Sequence, residues 1–147
     1  MFKHILVPTD GSRLSHKAMS AAMKLAKLAD SRLTVLHVVA RINPLLFTDG
    51  YVIEPELLKD YEAAEHEKGE KYLKKAAAAA VRMGVRCTTR LVTSDTPHKV
   101  IISTARSRDC DVIVMASHGR GNLSALLMGS ETTQVLAHCK RPVLVVR

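Results

Sequence analysis

Val112-Ile-Val-Met-Ala-Ser-His-Gly-Arg-Gly-Asn-Leu-Ser-Ala-Leu-Leu-Met-Gly-Ser-Glu131 is the stretch that decides how this chain folds. Four apolar residues, Val112 to Met115, run into the small residues Ala116 and Ser117 and then into Gly119 and Gly121. A short apolar turn, Leu123 to Met128, leads to Gly129-Ser130 and a segment able to form a helix. A buried strand, a glycine turn and a helix N-terminus in that order make an anion-binding arrangement. The amides of a first helical turn lack partners inside the helix, and the positive end of the dipole points to the same spot.

The flanking sequence supplies a sheet to present this loop. Residues 2–8 are an apolar run ending in Pro8 and read as a central strand. Thr9-Asp10-Gly11-Ser12 is turn chemistry, with Ser12 placed to cap a helix over 13–29. Leu14, Ala18, Ala21, Ala22, Leu25 and Leu28 fall on one stripe of that helix, and Lys17, Lys24 and Lys27 fall off it. Residues 32–39 form a second strand. Residues 40–54, with Asn43-Pro44 and Asp49-Gly50, form a loop over one end of the sheet. A long helix rich in Glu, Lys and Ala runs from Pro55 to Met83; Gly69 weakens it by about 1 kcal/mol relative to Ala, and Gly84 ends it.

Residues 85–92 alternate in polarity, as a half-solvated edge strand does. Thr96 and Pro97 start a helix over 97–107, with Thr96 as its cap. Residues 111–116 are a strand apolar enough to be buried on both faces. Ser130 to His138 form a short helix, and Pro142 opens a last strand, Val143 to Val146, at a sheet edge. Strands alternating with helices predict a single-domain α/β fold: a parallel sheet covered on both faces through right-handed crossovers. Ligands of such sheets bind outside the carboxyl ends of the strands, where strand order reverses. The loops after Pro8, Val38 and Ala116 lie at that end.

The composition bounds the function. A chain of 147 residues, 47% apolar and 24% charged, suits one domain with a real core. No apolar run nears the roughly 20 residues of a membrane span, and the first apolar stretch is too short for a signal peptide. A cytoplasmic protein with no membrane partner is expected. The net charge of +8 is spread over the whole chain, and aromatics are 3% with no Trp. That favours solubility and attraction of an anion over nucleic-acid binding. Cys87, Cys110 and Cys139 have no CxxC spacing, which argues against a disulfide framework or structural zinc.

Two small-residue turns and a helix start at one sheet end suit a phosphate. Gly119 and Gly129 let the backbone approach closely. Ser130 adds a hydroxyl and an N–H. Asp10 can bond a ribose hydroxyl or hold a metal carried by the phosphates, and Val38 can pack against a base. Plainer readings stand beside these: glycines often only serve turns, and Asp10 can simply brace the turn into the first helix.

The segment Asp111-Val-Ile-Val-Met-Ala-Ser-His-Gly-Arg, with Leu-Leu-Met-Gly-Ser after it, resembles the universal stress protein family. So do the opening Ile-Leu-Val-Pro-Thr-Asp-Gly-Ser and the closing Arg-Pro-Val-Leu-Val-Val, so the likeness covers essentially the whole chain. The resemblance implies a Rossmann-like, adenine nucleotide alpha hydrolase-like fold with five parallel strands in the order 3-2-1-4-5. ATP-binding members are similar in carrying G-x₂-G-x₉-G-S/T. Here that pattern reads Ala116-x₂-Gly119-x₉-Gly129-Ser130, with alanine in place of the first glycine.

By this resemblance Pro8, Thr9, Asp10 and Val38 line the adenine–ribose side. Gly119, Arg120, Gly129, Ser130 and Glu131 lie near the phosphates, and Met115, Ala116 and His118 complete the candidate set. The implied ligand is ATP, with Mg²⁺ or Mn²⁺ reaching Asp10 through the nucleotide. The implied partner is a second copy joined along the C-terminal strand, Pro142 to Arg147, where an apolar edge invites pairing.

The P-loop pattern is missing, since Met128 precedes Gly129-Ser130 and no lysine follows. His118 is a candidate base near neutral pH, with a local turn hydrogen bond as its plainer role. The expectation is a regulatory ATP binder, at most a slow ATPase, with no catalytic residue assigned. Its rival is a nucleotide-independent dimeric interaction module, in whose favour Ala116 speaks.

Overall fold

Strand and helix alternate through the computed structural model, which describes residues 1–41, 54–119 and 128–147. The elements are β1 (His4–Thr9), α1 (Arg13–Leu28), β2 (Arg32–Ala40), α2 (Pro55–Met83), β3 (Cys87–Ser94), α3 (Pro97–Ser107), β4 (Val112–Ala116), α4 (Ser130–His138) and β5 (Val143–Val146). Every strand pairing is parallel, in the order β3-β2-β1-β4-β5. Most of the loop expected at 40–54 lies outside the described residues, as do Arg120, Gly121 and 123–127 of the expected apolar turn. No helix among the described residues is long and apolar enough to cross a membrane.

The apolar strands are central because both their faces need cover. On β1, Ile5 and Val7 face a core shared with α1 and α2, through Met19, Ala22, Met23, Leu73, Ala76 and Ala80. Leu6, between them, faces the opposite core of Ile101, Ala105, Ile113, Met115 and Val135, built by α3, β4 and α4. Each fully buried aliphatic side chain contributes about 1.5–3 kcal/mol of transfer free energy. A run such as Val112–Ala116, buried at every position, is therefore held in the middle of the sheet.

α1 starts as its sequence predicts, with Ser12 Oγ accepting the Ser15 N–H at 3.1 Å. Its buried stripe is turned from the expected one. Ala18, Met19, Ala22, Met23 and Ala26 are buried, whereas Leu28 is 87% exposed. Small alanines let α1 approach the sheet, unbranched methionines fill the remaining gaps, and Leu28 falls past the core in the last helical position.

Thr96 sits at the start of α3 without capping it through its side chain. Ser94 Oγ accepts the Thr96 N–H at 3.1 Å instead, and the first turn of α3 takes its acceptor from α4. Met128 is 40% exposed, whereas Met115 is buried. Gly84 ends α2 at φ +70°, its N–H bonding the carbonyls of Ala80 and Val81. Gly69 is buried where α2 crosses β2 and β3: a Cβ there would lie 2.5 Å from His37 Cδ2 and 2.8 Å from Leu91 Cδ1. It lets α2 lie close against β2 and β3 and is more than a weak spot in a helix.

Candidate functional site

A cavity of about 420 Å³ opens at the carboxyl ends of β2, β1 and β4, where the chain order reverses between β1 and β4. Two turns build it. After β1, the Ser12 N–H donates to Asp10 Oδ1 at 2.9 Å and the Gly11 N–H to Thr9 Oγ1 at 3.2 Å. The Thr9 hydroxyl lies 3.0 Å from that of Ser15. Gly11 adopts φ +76°, and a Cβ there would fall 2.3 Å from the Tyr72 ring. Both facts demand glycine.

After β4, the Ser117 N–H donates to the Val146 carbonyl at 2.9 Å and the Gly129 N–H to the Ser117 carbonyl at 2.7 Å. The second bond sets the start of α4 against the end of β4. A Cβ on Gly129 would sit 2.9 Å from His118 Cα, so a methyl would push the two backbones apart. The turns face one another across Asp10 and Gly119, where a Cβ would come 2.6 Å from Asp10 Oδ2.

The first bond inside α4 runs from the Thr133 N–H to the Gly129 carbonyl at 2.9 Å. The amides of Ser130, Glu131 and Thr132 come before it and lie at the positive end of the helix. Thr132 Oγ1 donates to the Ala116 carbonyl at 2.9 Å, which pins that helix start to the strand end.

Eleven of the twelve candidate residues line this one cavity: Pro8, Thr9, Asp10, Val38, Met115, Ala116, His118, Gly119, Gly129, Ser130 and Glu131. The twelfth, Arg120, lies outside the described residues. Three of them also have local work. Asp10 braces its turn through Oδ1. The Glu131 carboxylate, expected near phosphates, reaches the start of α3, accepting the His98 N–H at 2.7 Å with His98 Nδ1 3.1 Å away. His118 Nδ1 lies 3.0 Å from Ser117 Oγ, a local turn contact.

The cavity is also lined by residues that the sequence did not point to: Ser15, His37, Glu65, Pro97, Ile101 and Thr132 among them. His37 is buried, with Nδ1 2.8 Å from the Thr9 carbonyl and its ring edge-on to Tyr72 at 5.6 Å. Thr132 follows the motif serine by two residues, and its role needs the tertiary fold to be seen. Glu65 lies on the polar face of α2, where nothing in the sequence separates it from Glu62, Glu67 or Glu70. Asp10, Glu65 and Glu131 bring three carboxylates to the lining, and no Lys or Arg lines it among the described residues. Among the described residues, an anion would be met there by backbone amides and a helix dipole.

The chain matches the model of the universal stress protein family over residues 1–147. It is 35% identical over 150 residues to the universal stress protein YxiE of Bacillus subtilis, covering 100% of both chains. Among solved structures it is similar to protein MJ0577 of Methanocaldococcus jannaschii, at 27% identity and a TM-score of 0.83, covering 99% of this chain and 96% of that one. Two more distant structures share the fold. One is a universal stress protein in complex with cAMP (21% identity, TM-score 0.71, covering 99% and 97%). The other is the universal stress protein of Archaeoglobus fulgidus in complex with dAMP (19%, TM-score 0.67, covering 99% and 98%).

Proposed function

The chain belongs to the universal stress protein family, and from that premise we propose that it is a regulatory stress-response protein that binds ATP in the cavity at the strand ends without turning it over efficiently. The observation that carries this reading is the close approach of Gly129, at the start of α4, to the His118 backbone, with Gly119 set against the Asp10 carboxylate. A side chain at Gly129 would push the start of α4 from the end of β4, and the first-turn amides held there suit phosphate oxygens. The apolar wall of Leu36, Val38 and Ile101 suits a purine ring. The cAMP and dAMP complexes of two distant relatives agree with an adenine nucleotide as the ligand class.

The residues present also suit a nucleotide-borne cation. Asp10 Oδ2 lies against Gly119 in the cavity wall, 2.6 Å from where a Cβ would stand. Among the described residues no three His, Cys, Asp or Glu side chains gather to hold a metal. Mg²⁺ or Mn²⁺ at Asp10 would therefore take most of its oxygen ligands from phosphates and water. Pairing of two chains along β5 completes the proposal: β5 is an edge strand with Leu144 46% exposed.

Heat release of small molecules from the purified protein, with their identification, tests the ligand class. A thermal shift with ATP and Mg²⁺ tests affinity: at a ligand concentration 100-fold above Kd, stabilisation reaches about 2.7 kcal/mol. A second reading, an interaction module that ignores nucleotide, draws on one observation: the Ala116 methyl stands in the cavity lining where the motif has its first glycine. No shift at millimolar ATP, ADP or AMP would support that reading. Phosphate release at more than a slow rate would contradict the regulatory role.

A further inference from the structure

We propose that the amino end of the sheet, opposite the cavity, docks a linear polyphosphate, a chain of phosphate groups that carries no bases. Cations scattered through the sequence are gathered there into one row. Backbone bonds fix its order. The Leu33 N–H donates to the Arg86 carbonyl at 2.8 Å, the Arg32 N–H to the Lys3 carbonyl at 3.0 Å and the Asp111 N–H to the His4 carbonyl at 2.8 Å. The Arg108 carbonyl lies 2.9 Å from His4 Nδ1. The Ile113 N–H donates to the Pro142 carbonyl at 3.0 Å, which sets Arg141 level with Asp111. Arg86, Arg32, Lys3, Arg108 and Arg141 therefore stand at or just ahead of the starts of β3, β2, β1, β4 and β5, in sheet order. All five are exposed. Four strand spacings make the row about 19 Å long, too long for a single phosphate and suited to a chain of them.

The helices add to this charge. They run back along the sheet, so the cations of their last turns, Lys27, Arg82 and Arg106, reach the same end. Three acids stand among them, each with local work. Asp30 Oδ1 lies 3.4 Å from Arg86, and Asp109 Oδ1 lies 4.0 Å from Arg141. Asp111 Oδ2 accepts the N–H groups of Lys3 and His4. Seven of the fourteen acidic residues fall instead between Glu54 and Glu70, the part of the chain that meets the sheet at His37, near the carboxyl end of β2. The arginines also converge on one point: burial pushes the Cys110 thiol up to about 11, and the charges of Arg32, Arg108 and Arg141 all pull it back.

Arg32 and Arg108 have no ion pair among the described residues, and the exposed pairs of Arg86 and Arg141 are of a kind worth little. Four of the five cations in the row are arginines, whose planar forks match phosphate oxygens two at a time. The described aromatics give a base nothing to stack on at this end. Phe2 packs against the core, Tyr72 lies beside Gly11, and Tyr61 precedes Gly69 by about two helical turns. A base-free chain of phosphates fits that surface better than a nucleic acid does. The row and the nucleotide cavity are at opposite ends of the sheet, so the proposal does not depend on what the cavity binds.

The test titrates the full chain with inorganic polyphosphate over a salt series, beside a single-stranded oligonucleotide and polyglutamate of matched charge. Wild type should bind polyphosphate most tightly, with a slope of log affinity against log salt of about −3, as four or five phosphate contacts give on the single-strand scale. The double variant Arg32→Gln, Arg108→Gln should lose about tenfold or more in affinity and flatten the slope by about 1.4, two contacts' worth. The double variant Lys59→Gln, Lys71→Gln removes the same charge from the other end of α2 and should bind polyphosphate as wild type does. Circular dichroism and melting temperature confirm that each variant is folded. No binding of polyphosphate by wild type at low salt would overturn the proposal. So would equal losses in the two double variants, which would leave net charge alone as the cause. Tighter binding of the oligonucleotide or of polyglutamate would overturn it too, by assigning this edge to nucleic acid or to an acidic protein.

Discussion

The Glu131 carboxylate accepts the backbone N–H of His98 at 2.7 Å, which fastens the first turn of α4 to the first turn of α3. An acid in the first turn of α4 thus serves the neighbouring helix, whose own Thr96 makes no side-chain cap. Replacing Glu131 with Ala should behave like loss of an N-cap and lower stability by about 1 kcal/mol. Glu131→Gln should retain most of that stability, because its amide oxygen still accepts. The urea midpoints of the two variants, read against the wild type, check this.

Gly129→Ala should reduce nucleotide affinity by at least about tenfold. The added Cβ meets backbone, His118 Cα at 2.9 Å, and backbone cannot rotate away as a side chain can. The start of α4 must then shift from the end of β4, and the amides shift with it. Isothermal calorimetry with ATP is the measurement, and a variant binding as tightly as wild type would contradict the placement of the phosphate.

Gly69→Ala sets two effects against each other. Helix propensity favours alanine by about 1 kcal/mol. Packing opposes it, with a Cβ 2.5 Å from His37 Cδ2 and 2.8 Å from Leu91 Cδ1. His37 is held by its Nδ1 contact to the Thr9 carbonyl, so it cannot yield freely. Overpacking should win, giving a net loss of about 1–3 kcal/mol in chemical denaturation.

His4 gives the fold an acid-sensitive leg. Its ring is buried, with Nε2 2.8 Å from Thr34 Oγ1 and Nδ1 2.9 Å from the Arg108 carbonyl. Burial, and then the nearby Arg32 charge, hold its pKa below the ordinary 6.5. The unfolded chain therefore binds the proton more readily than the folded one. The contribution is full above pH 6.5, and stability declines as pH falls from there toward the folded-state pKa. A pH series of unfolding free energies should show this decline in wild type and a smaller one in His4→Gln. Asp111 acts lower, since the amide N–H groups of Lys3 and His4 hold its carboxyl below the usual value. Its contribution is full above about pH 4 and is lost as pH falls further.

Much of this architecture could be read in advance where one physical demand dominates. The apolar run Val112 to Met115 had to be a central strand, and Gly84 had to end α2. The parallel direction of the strands and the meeting of the Pro8 and Ala116 loops at one sheet end followed from alternation of elements, whereas the strand order came from the family resemblance. Positions with two near-equal solutions were not legible. α1 carries alanine and leucine on one candidate stripe and alanine and methionine on another; only packing against β1 and β4 selects the second and leaves Leu28 outside. Thr96 looked like a cap because local chemistry cannot show that Glu131, 35 residues later in the sequence, would supply the acceptor. Glu65 was hidden for the same reason: its approach to the cavity depends on how closely Gly69 lets α2 lie on β2.

The central claim is that amides flanking β4 and opening α4 receive the phosphate of an adenine nucleotide. A titration of ¹⁵N-labelled protein with ATP and Mg²⁺, followed amide by amide, tests it most directly. The account predicts the largest shifts at His118, Gly119 and Ser130 to Thr132, with smaller ones at Asp10 and Val38. Saturating ATP that leaves those amides unmoved, or moves only amides on the far faces of the helices, would contradict it.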